Sequence, residues 1–277
     1  KAAAWFEEYR PTLFFGVPAM LVRLLELPPA QAREIGARLR LAVSGSAPLP
    51  AEIHERFRQL YGSVILERYG MTETLMNIGN PYAGERRPGT VGLPFAHVAV
   101  RIRDDAGQDV ADGTTGEVWV KGPNVCSGYW RRPEATAAAW REGWFRTGDI
   151  GVRAADGYVT LQGRRSDLII SGGFNVYPRN VEEAIYQHSA VAEVTVCGVP
   201  DQRTGQAVKA FVRLRDGATL TEAELVEFLR SRIGKHELPR QVEFRAQLPK
   251  TLVGKLSKKE LVEEETARFQ ASARAAG

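Results

Sequence analysis

The stretch Glu67-Arg-Tyr-Gly-Met-Thr-Glu-Thr74 follows directly on the apolar run Val64-Ile-Leu66. A short apolar run opening into glycine and hydroxyl residues reads as a strand ending in a loop, and open α/β sheets bind ligands at the carboxyl ends of their strands. Upstream, residues 12–15 and 41–44 are further strand candidates, and residues 18–26 and 50–61 read as helices. The second helix carries Ile53, Phe57 and Leu60 at i, i+4, i+7 spacing. Strands alternating with amphipathic helices predict that residues 1–88 form part of a doubly wound, mostly parallel sheet. Within the quoted stretch, Thr72 and Thr74 flank the carboxylate of Glu73, the side-chain inventory for phosphate oxygens and Mg²⁺. The same three residues also read as the capped start of a helix entering Leu75 and Met76.

Downstream the pattern changes. Residues 98–103, 116–121 and 158–162 alternate or follow Asp-Gly turns, so residues 89–166 read as a β-rich subdomain interrupted by one helix at 133–141. After the polar linker Arg164-Arg-Ser-Asp167, residues 167–277 return to mixed character. Pro178 stands at the first turn of a helix whose face is Val181, Ala184 and Ile185. Strands at 191–199, 207–214 and 242–245 and helices at 221–233 and 257–269 complete a small α+β domain. The fold class is therefore α/β, with a β-rich subdomain and a small C-terminal α+β domain.

Composition narrows the function classes. The 277 residues hold 37 Lys plus Arg against 33 Asp plus Glu, a net charge of +4 that gives no argument for nucleic acid as a partner. A 44% hydrophobic content with 25% charged residues excludes a disordered chain or a collagen-like repeat. Cys126 and Cys197 lack CxxC or Cys/His spacing, which fits a reducing compartment and no zinc site. No apolar run reaches the ~18 residues of a membrane span. A cytoplasmic location is the expectation, with a targeting segment ahead of Lys1 left open.

Three more segments carry chemistry. Ser44-Gly-Ser-Ala leaves a strand and enters a helix, where backbone amides of Gly45, Ser46 and Ala47 can face a ligand. Trp144-Phe-Arg-Thr-Gly-Asp149 reads as a tight glycine turn whose carboxylate suits the two hydroxyls of a ribose, with Arg164 further on adding donors. Pro249-Lys-Thr-Leu-Val-Gly-Lys255 places an ammonium on a loop ahead of the last helix.

The order of these motifs carries a resemblance. Gly45-Ser-Ala, Tyr69-Gly-Met-Thr-Glu-Thr, Gly116-Glu with Gly122-Pro-Asn and Gly128-Tyr-Trp, Thr147-Gly-Asp, Gly163-Arg-x-x-Asp, Gly172-Gly and Pro249-x-x-x-x-Gly-Lys stand in one series. The series is similar to the adenylate-forming superfamily of acyl-CoA synthetases, nonribosomal adenylation domains and luciferases, from the middle of the family chain to its end. Glu67-Arg-Tyr-Gly-Met-Thr-Glu-Thr-Leu-Met-Asn and Gly172-Gly-Phe-Asn-Val-Tyr-Pro look most like malonyl-CoA synthetases. The family's earlier Ser/Thr/Gly/Lys-rich phosphate loop is absent, so the chain reads as lacking an N-terminal half, and the 277 residues alone are expected not to turn over.

The resemblance implies an acid–thiol ligase that uses ATP, Mg²⁺ and coenzyme A and forms an acyl-adenylate before the thioester. It implies that Tyr69 stacks on adenine, with Gly45, Ser46, Ala47, Gly70 and Met71 around the nucleotide. Thr72 then contacts the α-phosphate, Glu73 binds Mg²⁺, and Asp149 and Arg164 hold the ribose. Lys255 bridges the attacking carboxylate and the α-phosphate, Asp167 is the hinge of a mobile domain, and Gly172 and Gly173 line the CoA tunnel. For malonate or methylmalonate, a second carboxylate needs a cation, and Arg23, Arg86 and Arg87 are the candidates. A medium- or long-chain fatty acid or aryl acid ligase, or an inactive fragment or binding module, are the alternatives.

Overall fold

The computed structural model describes residues 2–251 and 256–275. The chain divides into two compact units, Lys1–Leu161 and Gln162–Gly277.

The first unit begins with α1 (Ala2–Tyr9), β1 (Leu13–Gly16), α2 (Pro18–Leu24), α3 (Pro29–Arg38), β2 (Leu41–Ser44), α4 (Ala51–Tyr61), β3 (Ile65–Met71), β4 (Leu75–Gly79) and β5 (Leu93–Pro94). The five strands form one sheet in chain order. β1, β2 and β3 are parallel, as helical crossovers between them require, whereas β3–β4 and β4–β5 are antiparallel. Leu21, Ile35, Ile53, Phe57 and Ile65 share the core of this region, where the rings of Phe57 and Tyr61 stack at 4.1 Å.

The unit continues with β6 (Ala99–Arg103), β7 (Gly116–Lys121), α5 (Pro133–Ala139), β8 (Trp140–Arg141), β9 (Trp144–Arg153) and the start of β10 (Val159–Arg164), a strand whose last three residues are counted in the second unit. They build a second sheet in the order β10-β9-β7-β6, with β8 on β9. The two sheets meet where Val91 N donates to Val159 O (2.9 Å) and Val159 N donates to Gly92 O (2.8 Å). Tyr69 and Ile78 from the first sheet pack there with Val100, Val118 and Val159 from the second.

The second unit holds β11 (Ile169–Ser171), β12 (Phe174–Val176), α6 (Pro178–Tyr186), β13 (Val191–Asp201), β14 (Gly205–Leu214), α7 (Glu222–Leu229), β15 (Gln241–Phe244) and α8 (Lys258–Ala275). Its sheet runs β12-β11-β14-β13, with β15 parallel to β14. The amphipathic face of α6 buries Val181, Ala184 and Ile185 against Val194, Val196 and Val208. Among the described residues no helix is long and apolar enough to cross a membrane.

Candidate functional site

The quoted stretch is one arm of a hairpin. β3 continues through Met71 and pairs antiparallel with β4, Arg68 facing Gly79 and Met71 facing Leu75. The helix start expected at Leu75 does not form. Burial alternates through Ile65, Glu67 and Tyr69, a period of two that a helix would break, and the ladder to β4 satisfies the backbone instead. Thr72-Glu73-Thr74 is the turn, closed by Thr74 N donating to Met71 O at 3.1 Å. Thr72 is exposed, Glu73 half-buried and Thr74 buried.

A second segment, residues 122–129, holds this turn. Asn124 Nδ2 donates to Thr74 O (2.6 Å) and to Asn77 Oδ1 (3.0 Å), and Asn77 Nδ2 donates to Thr74 Oγ1 (2.8 Å). Cys126 N donates to Glu73 O at 2.8 Å, and Tyr129 OH donates to Glu73 Oε1 at 2.9 Å. Partial burial, then the neighbouring Glu73 carboxylate, push the Tyr129 phenol up to about 12, so it is a neutral donor at any physiological pH. The sequence motifs Gly122-Pro-Asn and Gly128-Tyr-Trp contain both residues, yet spacing alone assigned neither a partner.

Asp149 lies inside β9, not in the isolated glycine turn expected of Thr147-Gly-Asp. Opposite β7 the register passes from Trp119 facing Arg146 to Glu117 facing Ile150, so Thr147, Gly148 and Asp149 occupy the place of Val118 alone. This is a bulge, a device that re-aims a side chain. Thr147 Oγ1 stabilises it by donating to Val118 O (2.7 Å) and accepting from Asp149 N (3.0 Å). Asp149 Oδ2 then receives the Tyr69 hydroxyl at 2.5 Å, with both residues buried.

The turn after β2 is tied to the same strand. Leu49 N donates to Glu67 Oε1 at 3.0 Å, Gly45 N donates to Gly16 O at 3.3 Å, and Ser46 adopts a left-handed φ of +70°. Gly45, Ser46 and Ala47 thus stand at the carboxyl ends of the parallel strands, where the strand–helix alternation placed them. Glu67, which the sequence reading places at the head of the loop after residues 64–66, lies within β3 and is the anchor.

The other candidates are placed as follows. Arg23 is exposed on α2, whose buried residues are Leu21, Val22 and Leu24. Arg86 donates to the backbone carbonyls of Val64, Pro81 and Tyr82. Arg87 stacks 3.9 Å over the Tyr158 ring and pairs with Glu85 and Asp156. In the second unit, Arg164 ends β10 and is exposed, and Asp167 closes a 3₁₀ turn in which Ser166 Oγ donates to Asp167 Oδ1 at 3.1 Å. Gly172 and Gly173 form the two-residue turn between β11 and β12 with φ of +58° and +85°. A type I′ turn needs positive φ at both positions, which explains both glycines locally. Lys255 lies outside the described residues. On either side of residues 252–255, Ser257 N donates to Pro249 O (2.9 Å), and Lys250 Nζ pairs with Glu193 Oε1 (2.5 Å).

Among the described residues no group of three or more His, Cys, Asp or Glu could hold a metal by itself. Glu73 nevertheless suits Mg²⁺, which takes one or two protein carboxylates and completes its shell with substrate phosphates and water. Tyr129 engages only Oε1.

Comparison with known proteins follows the same division. The AMP-binding enzyme family profile matches residues 1–130, and the AMP-binding enzyme C-terminal domain profile matches residues 180–255. A long-chain-fatty-acid–CoA ligase of Bacillus subtilis (strain 168) is 42% identical over 262 residues, which are 94% of this chain and 47% of that protein. ATP-bound MatB from Rhodopseudomonas palustris superposes with a TM-score of 0.89 at 41% identity, covering 95% of this chain and 52% of that one. A benzoate CoA ligase from Burkholderia xenovorans LB400 gives 0.85 at 35% identity, over 94% of this chain and 52% of that one. The chain spans about half the length of the relatives it matches.

Proposed function

Because the chain belongs to the adenylate-forming superfamily of AMP-binding enzymes, we propose that the protein is an ATP-dependent carboxylic acid:CoA ligase. One observation carries the reading. The Tyr69–Asp149 hydrogen bond joins two motifs 80 residues apart, and the Thr72–Thr74 turn follows Tyr69 on the same hairpin. An aromatic ring, a carboxylate acceptor and a hydroxyl-rich turn are together the chemistry of a nucleoside phosphate.

In this reading Tyr69 presents its ring to adenine, Asp149 accepts from the ribose hydroxyls, and Gly45, Ser46, Ala47, Gly70 and Met71 line the nucleotide. Thr72, exposed at the turn, donates to the α-phosphate. Glu73 would hold Mg²⁺, which supplies charge neutralisation at the phosphates. The substrate carboxylate attacks the α-phosphorus, an acyl-adenylate forms as pyrophosphate leaves, and the CoA thiol then displaces AMP. Lys255 supplies a cation to the attacking carboxylate and α-phosphate; loss of one such group commonly costs about 3 kcal/mol or more. Arg164 assists at the ribose, Asp167 is the hinge dividing the large-domain portion from the C-terminal domain, and Gly172 and Gly173 line the pantetheine path.

The acid we propose is malonate or methylmalonate, on the likeness of residues 67–77 and 172–178 to malonyl-CoA synthetases. Arg86 and Arg87 already serve carbonyls and carboxylates of their own, which leaves Arg23 as the reader of the distal carboxylate. A fatty or aryl acid ligase is the second reading, favoured by the 42% identity to the fatty-acid ligase. Acid-dependent pyrophosphate exchange in the full-length protein separates them. Malonate-dependent exchange that Arg23→Ala abolishes supports the first reading, and octanoate- or benzoate-dependent exchange without malonate use replaces it. Lys255→Ala should abolish adenylation while leaving CoA attack on supplied acyl-adenylate. Equal loss of both half-reactions would argue against its role.

A further inference from the structure

We propose that Tyr129 is a positioning residue for the metal-holding carboxylate, an inference that rests on the assignment of Glu73 above. Its phenol has one hydrogen to give and gives it to Glu73 Oε1 at 2.9 Å. The other oxygen, Oε2, has no partner among the described residues. A carboxylate anchored through one oxygen has its rotation about the last side-chain bond fixed and presents the second oxygen in one direction. Carboxylates that ligate metals are commonly held this way by an outer hydrogen bond.

Tyr129 is itself braced on three sides. Its backbone N donates to Thr136 Oγ1 (2.9 Å), and its carbonyl accepts from Arg132 N (3.2 Å). Its ring meets Trp140 edge-on at 5.5 Å, and Trp140 packs at 4.6 Å on Phe145, which lies on β9 four residues before Asp149. The strand that carries the proposed ribose acceptor therefore also buttresses the phenol that orients the proposed metal ligand. With Cys126 N on Glu73 O, the side chain and the backbone of Glu73 are both fixed from one loop. That arrangement exceeds what a surface turn requires, and it accounts for the tyrosine of the Gly128-Tyr-Trp motif, which the sequence left without a task.

The test compares Tyr129→Phe, which keeps the ring and its Trp140 contact, with Glu73→Gln in the full-length protein. Mn²⁺ binding is read by electron paramagnetic resonance in the presence of a non-hydrolysable ATP analogue. The Mg²⁺ concentration for half-maximal adenylation and the KM for ATP at saturating Mg²⁺ are measured alongside. Outer hydrogen-bond partners are worth about 10- to 100-fold in metal affinity. Tyr129→Phe is expected to weaken Mn²⁺ binding and raise the Mg²⁺ requirement by about 10-fold, while the ATP KM at saturating metal stays within about twofold. Unchanged Mn²⁺ binding in Tyr129→Phe, with binding lost in Glu73→Gln, overturns the proposal alone. Unchanged binding in Glu73→Gln overturns both the proposal and the metal assignment. A rise in ATP KM as large as the rise in Mg²⁺ requirement would reduce Tyr129 to packing.

Discussion

Replacing Tyr69 by Phe removes one oxygen and keeps the ring. The lost group donates to a carboxylate, and neither partner is open to solvent: Tyr69 is 8% and Asp149 6% exposed. Water cannot readily replace the donor, so the loss falls in the range for hydrogen bonds to charged groups, about 1.5–3 kcal/mol. The first unit holds 161 residues, and at about 2–4 °C per kcal/mol for that size its melting temperature should fall by about 3 to 12 °C. A double-mutant cycle with Asp149→Ala isolates the bond from the packing each side chain supplies elsewhere, and the coupling should be about 1 kcal/mol or more. Isothermal titration with ATP adds a functional arm. Tyr69→Phe keeps the proposed stacking surface, whereas Asp149→Ala loses the proposed ribose acceptor and should weaken binding about 10-fold or more. Additive effects within about 0.5 kcal/mol, or equal ATP affinity in all four proteins, would refute the coupling of these two residues as the basis of the proposed nucleotide site.

Gly70→Ala should disrupt the β3–β4 hairpin, because a Cβ there would lie 1.8 Å from Leu75 O and force two backbones apart; a loss of about 3 kcal/mol is expected, and an unchanged melting temperature would contradict it. Glu243 links stability to pH. Burial raises its pKa, but hydrogen bonds from Lys209 and Arg245 outweigh that and hold it at about 2, against an ordinary 4.5. Its contribution is therefore complete above pH 4.5 and is lost as pH falls through about 2, so urea midpoints of the native protein should drop more steeply across that window than those of Glu243→Gln. Parallel curves would count against the network. Thr221→Ala removes the capping box with Glu224 at the start of α7 and should cost about 1 kcal/mol by urea unfolding, without altering the first unit.

These contacts also explain which features could be read from residue order. β2 at Leu41–Ser44 and β7 at Gly116–Lys121 have the bounds expected from the sequence, because a short run of strand-forming residues is a local signal, although both strands are buried nearly throughout and do not alternate. Helix α3 is not legible in the residue order. It buries Ala32, Ile35 and Gly36, and two of those three residues are too small to register as an apolar stripe. Thr72-Glu73-Thr74 carries a genuine capping signal, yet cross-strand pairing with β4 overrides it, since a ladder satisfies a whole strand's backbone and a cap only a few amides. Asp149 looked like a turn residue because a bulge and a turn use the same Thr-Gly-Asp chemistry; only the partner strand distinguishes them.

The site divides along the same line. The types of residue in the proposed nucleotide site are visible in the motifs, but the bonds that draw them together run from Tyr69 to Asp149 and from Glu73 to Tyr129, across 80 and 56 residues. No period or spacing encodes such pairs. The first joins the β3–β4 hairpin to the β7–β9 bulge and the second joins it to the segment after β7, and the hairpin is held against that sheet by the Val91–Val159 bridge and the core shared by Tyr69 and Val118. It follows that a substitution at the sheet junction, such as Val159→Asp in that core, should impair the Tyr69–Asp149 pair without touching either residue. A Val159→Asp protein that retained wild-type ATP affinity and the full Tyr69–Asp149 coupling would show that the hairpin and the bulge find each other by some route other than the core.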